Sequence, residues 1–166
     1  MSAVTIRPER EGDAEAIRDL TARAFDGTAH SDGSEPAIVE RLRVDGDLTL
    51  SLVAQDEDAI LGHIAFSPVT ITDRAADWFD LGPVSVLPSH QRDGIGSALV
   101  RRGIADMRAR RAKGIVLLGD PAYYTRFGFA HDPGLAYPGP PPEYFQFLLL
   151  DGAMPQGTVR YAPAFG

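Results

Sequence analysis

The chain has 166 residues, no cysteine, 44% hydrophobic and 23% charged residues, and a net charge of −7. That length and composition fit a single globular domain able to bury a core without disulfides, and they exclude a thiolate zinc site or a cysteine nucleophile. No apolar run is long enough to span a membrane, the polar N-terminus does not read as a signal peptide, and the acidic balance argues against nucleic-acid binding, so a cytoplasmic protein is expected. The charge is unevenly spread: Arg92 to Lys113 contains seven basic and two acidic residues, which leaves −12 for the remainder. A basic element on an acidic body suggests two ligands of opposite charge, and equally suits a solvated helix face.

Residues 3–8 alternate as a strand should, closed by Pro8. From Gly12 to Phe25 the spacing of Ala16, Ile17, Leu20 and Ala24 predicts an amphipathic helix with Asp13 as its cap. After a loop over Gly27–Gly33, Ser34-Glu35-Pro36 opens a second helix that ends at Gly46. Leu48–Ala54 and Ile60–Ile71 flank the polar turn Gln55-Asp56-Glu57-Asp58 and predict an antiparallel hairpin. Trp78–Leu87 reads as a strand interrupted at Gly82-Pro83, where a bulge is expected.

Next comes the pattern strand Val84–Leu87, loop Pro88–Gly94, helix Ile95 to about Ala112, and strand Ile115–Leu118. Such a crossover makes the two strands parallel. Asp120–Arg126 suits a short helix, with Asp120-Pro121 as its turn, and Phe127–His131 suits a strand. Asp132–Pro142 holds five prolines and two glycines in eleven residues and is expected to be an ordered loop. Tyr144–Leu150 predicts a strand, buried or forming a dimer edge, and Thr158–Tyr161 a last edge strand. No repeat or linker divides the chain, so 1–166 is read as one domain.

Chemistry concentrates in Gln91-Arg92-Asp93-Gly94-Ile95-Gly96-Ser97, between a strand and a helix start. The first turn of a helix has unpaired N–H groups and the positive end of the dipole, which suits a pyrophosphate. Glycines at 94 and 96 permit close approach and unusual φ, Arg92 adds positive charge and Ser97 a hydroxyl. The pattern is neither a Walker loop nor a complete dinucleotide fingerprint, and many strand-to-helix loops need glycine only to turn.

The stretch from Val84 to Leu99, with Gln91, Gly94 and Gly96 in the defining places, resembles motif A of the GCN5-related N-acetyltransferases (GNAT). Tyr124-Thr125-Arg126-Phe127-Gly128-Phe129 resembles that family's later Tyr…Gly-Phe segment, and LGPVSV, LLGDPAYY and RFGF resemble the YhbS-like branch. The resemblance covers most of the chain. It implies a mixed, mostly antiparallel α/β sheet flanked by helices, with a splayed parallel pair at the cofactor cleft. It implies acetyl-CoA as cosubstrate; the four histidines His30, His63, His90 and His131 lie too far apart for a metal-ligand motif, so no metal is expected. Val84, Ser85 and Val86 would pair with pantetheine as an added strand, and Gln91, Arg92, Asp93, Gly94, Ile95, Gly96 and Ser97 would hold the pyrophosphate. Tyr124 would be the general acid and the Val86 N–H the oxyanion donor. Asp120 departs from the asparagine common in the family.

Amine acetylation also needs a proton acceptor, because a lysine-like amine is almost wholly charged at neutral pH. Asp80 and Glu35 are the carboxylate candidates, with His30 and His63 as further ones. The acceptor is expected to be a small-molecule or peptide amine, and the acidic surplus favours a cationic one. A non-catalytic CoA-binding sensor or partner-binding module is the alternative.

Overall fold

The computed structural model describes residues 4–28 and 31–166. Its centre is a six-stranded sheet in the order β1-β2-β3-β5-β6-β8, formed by β1 (Thr5–Pro8), β2 (Leu50–Asp56), β3 (Ala59–Pro68), β5 (Trp78–Val86), β6 (Gly114–Leu118) and β8 (Phe145–Leu149). All neighbours are antiparallel except β5 and β6, which are parallel. A second sheet has the order β4-β9-β7, from β4 (Thr70–Ile71), β9 (Gly157–Arg160) and β7 (Leu135–Ala136).

Helix α3 (Ile95–Ala109) lies on one face of the large sheet. Its inward side, Leu99, Val100, Gly103, Ile104 and Met107, packs with Leu52, Ile64, Phe66 and Leu81 in the main core. A Cβ on Gly103 would meet the Phe66 ring at 2.5 Å, so glycine is what lets the helix approach β3 this closely. Helices α1 (Ala14–Phe25) and α2 (Glu35–Asp45) cover the other face, with Ile17 and Val39 packed on Val53. Further along that side, Trp78 and Val116 pack against Val159 and Leu135 of the second sheet.

The hairpin, the crossover and the parallel pair stand as the sequence predicts. Four expectations are corrected. Ile60–Ile71 is not one strand: β3 ends at Pro68, and Thr70–Ile71 leaves to pair with β9. Phe127–His131 is not a strand either. Thr125–Phe127 is a 3₁₀ turn, Gly128 takes φ 97°, and only a bridge from Ala130 to Phe147 remains. The Pro-rich segment carries β7, whose pairing with β9 is a second parallel pair. Asp13 does stand at the N-cap of α1, its carbonyl accepting from Ile17 N–H, but its side chain makes no capping bond, because its carboxylate is spent on the Arg7 guanidinium and the Arg10 N–H.

Candidate active site

The site begins where β5 and β6 part. They pair only through Trp78, Asp80 and the residue between them, opposite Gly114–Val116. Beyond Asp80, β5 has one more residue than β3 between the pairs Leu81–Phe66 and Val84–Ile64. That extra residue, at the Gly82-Pro83 interruption, is the bulge read from the sequence, and it turns the end of β5 away from β6. Val84, Ser85 and Val86 keep their pairing with β3, opposite Ile64, His63 and Gly62, while their other edge pairs with no strand among the described residues.

Backbone alternation fixes what that edge offers. The Leu87 N–H donates to the Leu61 carbonyl on the β3 side at 2.9 Å. One residue earlier, Val86 therefore turns its N–H and carbonyl away from β3, into the opening. The Val86 carbonyl accepts from the Gln91 side-chain amide at 3.1 Å, which ties the strand end to the loop after it.

The loop delivers the start of α3 to the same place. Arg92 and Gly94 adopt left-handed backbone, with φ 71° and 84°. The first α-helical bond runs from Ala98 N–H to the Gly94 carbonyl, so the N–H groups of Ile95, Gly96 and Ser97 precede any intrahelical acceptor. Gly96 is ordinary helix rather than a residue of unusual φ, which corrects the expectation for it. A Cβ there would only reach ordinary contact, 3.7 Å from Val86 Cγ2 and from the Tyr123 hydroxyl. Its small size leaves room above the helix end.

Tyr124, at the end of α4 (Pro121–Tyr124), packs edge-on against Tyr123 and Phe129. Burial, then the neighbouring Tyr123 and Asp80, pushes its hydroxyl up to about 12, so it keeps its proton at neutral pH. Asp120 caps this helix by accepting from Ala122 N–H at 2.9 Å. Tyr123, which the sequence reading did not single out, has its hydroxyl 3.0 Å from Ser97 Oγ. Arg126 lies over the Tyr123 ring and Arg101 over the Phe127 ring, at 4.4 and 4.9 Å from the centroids. Two guanidiniums and an aromatic platform thus adjoin the helix end. The only signal for them was the Tyr-Tyr pair beside a basic helix.

The proton-acceptor candidates separate. Asp80 is buried, 3% exposed, and burial holds its carboxyl well above the usual range. The Tyr161 hydroxyl is near enough to oppose that shift, yet outside strict hydrogen-bond geometry. Glu35 lies on the far side of the sheet, where it accepts from the Ser31 hydroxyl and lines a cavity of about 400 Å³ with Phe25, Asp26 and Thr28. His30 lies outside the described residues. His63 is fully buried on β3, directly opposite Ser85.

With this geometry in place, the likenesses of the chain are informative. The family profile described as "Acetyltransferase (GNAT) domain" matches residues 5–131. The chain is 35% identical over 167 residues to the Uncharacterized N-acetyltransferase YhbS of Escherichia coli strain K12, covering 96% of this chain and 97% of that protein. It is similar to a solved GNAT family acetyltransferase from Brucella melitensis in complex with acetyl-CoA, with 48% identity, 99% of each chain covered and a TM-score of 0.89. It is also similar to YhbS from Escherichia coli in complex with CoA, at 33% identity and TM-score 0.89, covering 99% of this chain and 93% of that one.

Proposed function

The chain belongs to the GNAT acetyltransferase family, and from that premise we propose that it moves an acetyl group from acetyl-CoA to the amine of a small-molecule or peptide acceptor. The observation that carries this reading is the unpaired edge of Val84–Val86 lying beside the uncommitted N–H groups of Ile95, Gly96 and Ser97. The edge suits an extended amide-bearing chain, which can add to the sheet as a strand. The helix end suits a pyrophosphate. Gln91, Arg92, Asp93 and Gly94 shape the loop between them, and Arg101 and Arg126 add positive charge nearby. Bound there, acetyl-CoA supplies an activated acetyl thioester.

The protein's own contribution is donors and a proton path. The Val86 N–H, turned into the opening, donates to a carbonyl oxygen that gains negative charge during acyl transfer. Tyr124, protonated through the neutral range, is the proton donor for the leaving sulfur. On the acceptor side, Glu35 and Asp26 line the same cavity, which supports a cationic amine there. Asp80 serves as proton acceptor only once ionised, and burial, which raises its pKa, opposes that ionisation.

That last observation favours one competing reading, a CoA-binding module without turnover. Two measurements decide. In thermal unfolding, acetyl-CoA at one hundred times its Kd raises the midpoint by roughly 5–10 °C, while ATP and NAD do not. In a thiol-release assay with polyamines, amino-acid amines, aminoglycosides and lysine peptides, at least one acceptor accelerates CoA release, and Glu35→Gln raises its KM. An acetyl-CoA shift with no acceptor-dependent release assigns the protein to the module. No shift at millimolar acetyl-CoA removes both readings.

A further inference from the structure

Tyr123 stands on α4, one residue before Tyr124, and takes no part in the contacts assigned to acetyl transfer above. Its ring is held on its face and its edges. The Arg126 guanidinium lies over it at 4.4 Å from the centroid, and the Tyr124 and Phe127 rings meet it edge-on at 5.0 and 5.5 Å. Arg126 Nε also donates to the Tyr123 carbonyl at 2.9 Å, so one side chain grips both the ring and the backbone of this turn. A phenylalanine would satisfy all of these contacts. What the hydroxyl adds is a bond to the start of α3, 3.0 Å from Ser97 Oγ.

The hydroxyl is also placed over the helix end. A Cβ added to Gly96 would stand 3.7 Å from it and 3.7 Å from Val86 Cγ2. The space over Gly96 is therefore a slot, with the end of β5 on one side and Tyr123 on the other. Its floor is the first turn of α3, where the N–H groups of Ile95, Gly96 and Ser97 precede any intrahelical acceptor. Proton counting says what the slot presents. Each hydroxyl has one proton to give, and the bond between Ser97 and Tyr123 uses only one of the pair. The other is left for a ligand. A charged oxygen accepts more strongly than a hydroxyl, and a phenol is a stronger donor than an alcohol. With an anion in the slot, Ser97 donates to Tyr123 and Tyr123 donates to the anion, and each bond reinforces the other.

We propose that the Tyr123 hydroxyl, oriented by Ser97, is a ligand of the donor's diphosphate, and that it makes the cleft select a diphosphate-bearing thioester over one that ends at pantetheine. The proposal rests on the acetyl-CoA reading. The helix start offers backbone donors from α3 alone. Tyr123 adds a side-chain donor from α4, so the diphosphate is held between two elements and its position is fixed as well as its charge. The edge of Val84–Val86 offers only backbone groups and holds the pantetheine arm whether or not the diphosphate is present. The Arg126 and Arg101 guanidiniums lie over the Tyr123 and Phe127 rings and supply positive charge beside the slot.

The test needs no acceptor. Isothermal titration of the intact protein measures CoA, and pantetheine, which lacks the diphosphate and the nucleotide, is measured as a competitor of CoA at millimolar concentration. The proteins compared are the wild type, Tyr123→Phe, Ser97→Ala and the double variant. Tyr123→Phe keeps the ring and is expected to weaken CoA by about 10- to 100-fold, with pantetheine unchanged. Ser97→Ala is expected to weaken CoA less, and to add nothing once Tyr123 has been replaced, because it acts through the tyrosine. Equal CoA affinity in wild type and Tyr123→Phe overturns the proposal. An equal loss for CoA and pantetheine marks a packing defect rather than a lost phosphate ligand, and also overturns it. A larger loss in Ser97→Ala than in Tyr123→Phe reverses the order of donation and takes the phosphate contact away from Tyr123. A wild type that does not bind CoA overturns the acetyl-CoA reading itself, and this proposal with it.

Discussion

The Tyr124 ring lies directly against Gly119, so that a Cβ on the glycine would stand 2.5 Å from Tyr124 Cε2. The glycine follows β6 and the tyrosine ends α4, so the pair sets how the aromatic cluster sits at the mouth of the cleft. A methyl at this distance forces the ring to move.

Gly119→Ala is therefore expected to act as a displaced-tyrosine variant. Tyr124→Phe keeps the ring and deletes the proposed proton donor, and it is expected to lower kcat by about 100-fold or more with acetyl-CoA affinity preserved. Gly119→Ala lowers kcat by a similar factor, and the double variant loses no more than either single one. Steady-state kinetics on the four proteins, with isothermal titration of acetyl-CoA, checks this. Losses that multiply in the double variant would show that Gly119 acts by another route.

The two glycines of the helix start separate by their backbone. Gly94 has φ 84°, where an L side chain is strained, whereas Gly96 is helical with ordinary space around its Cβ position. Gly94→Ala costs about 1 kcal/mol of stability as well as affinity. Gly96→Ala leaves stability within about 0.5 kcal/mol and places its methyl in the ligand's space. Urea unfolding alongside acetyl-CoA titration reads both. A Gly96→Ala protein with unchanged affinity would move the pyrophosphate away from this helix end.

Much of this arrangement was legible in the sequence because local signals and fold agree there. Gly82-Pro83 announced the break in β5, and Gln91, Gly94 and Gly96 marked the helix start. What escaped depended on pairing across long stretches of chain. Nothing near Ile71 signals that Thr70–Ile71 will leave the hairpin to meet Val159–Arg160. Phe127–Phe129 has the apolar content of a strand, but Gly128 at φ 97° and the aromatic contacts of Phe127 and Phe129 with Tyr124 hold it as a turn. The hydrogen-bond chain from Glu9 through Ser51 to His63 was hidden for the same reason, because the three residues are far apart in the chain and only strand register brings them together.

His63 also makes a prediction about stability. Its pKa is about 4 in the folded protein against an ordinary 6.5. Between those values the unfolded chain binds a proton that the folded chain does not, so this contribution falls as the pH drops below 6.5. The loss is about 1.4 kcal/mol per pH unit and about 3 kcal/mol in all. His63→Gln removes it. The stability gap between wild type and variant, from urea unfolding, should therefore shift by about that amount against the wild type between pH 7 and pH 4. A gap constant across this range would mean that His63 does not change its proton affinity on folding.

Asp80 runs in the opposite direction and is separable by substitution. Burial raises its folded pKa above the unfolded value, so the folded chain holds a proton that the unfolded chain has released. Its contribution is fully present below the unfolded carboxyl value and is lost as the pH rises through the folded one. Asp80→Asn keeps the shape and removes the titration. The variant should gain on the wild type steadily from pH 4 upward, with the gain levelling off above the folded pKa. The pH at which it levels off measures that pKa directly. Repeating the series with saturating CoA asks whether the cleft ligand changes it, since Asp80, when ionised, raises the Tyr124 pKa. A plateau that moves down with CoA would mean that ligand binding readies Asp80 to accept a proton. A plateau that stays put would assign it to the buried floor beneath the cleft.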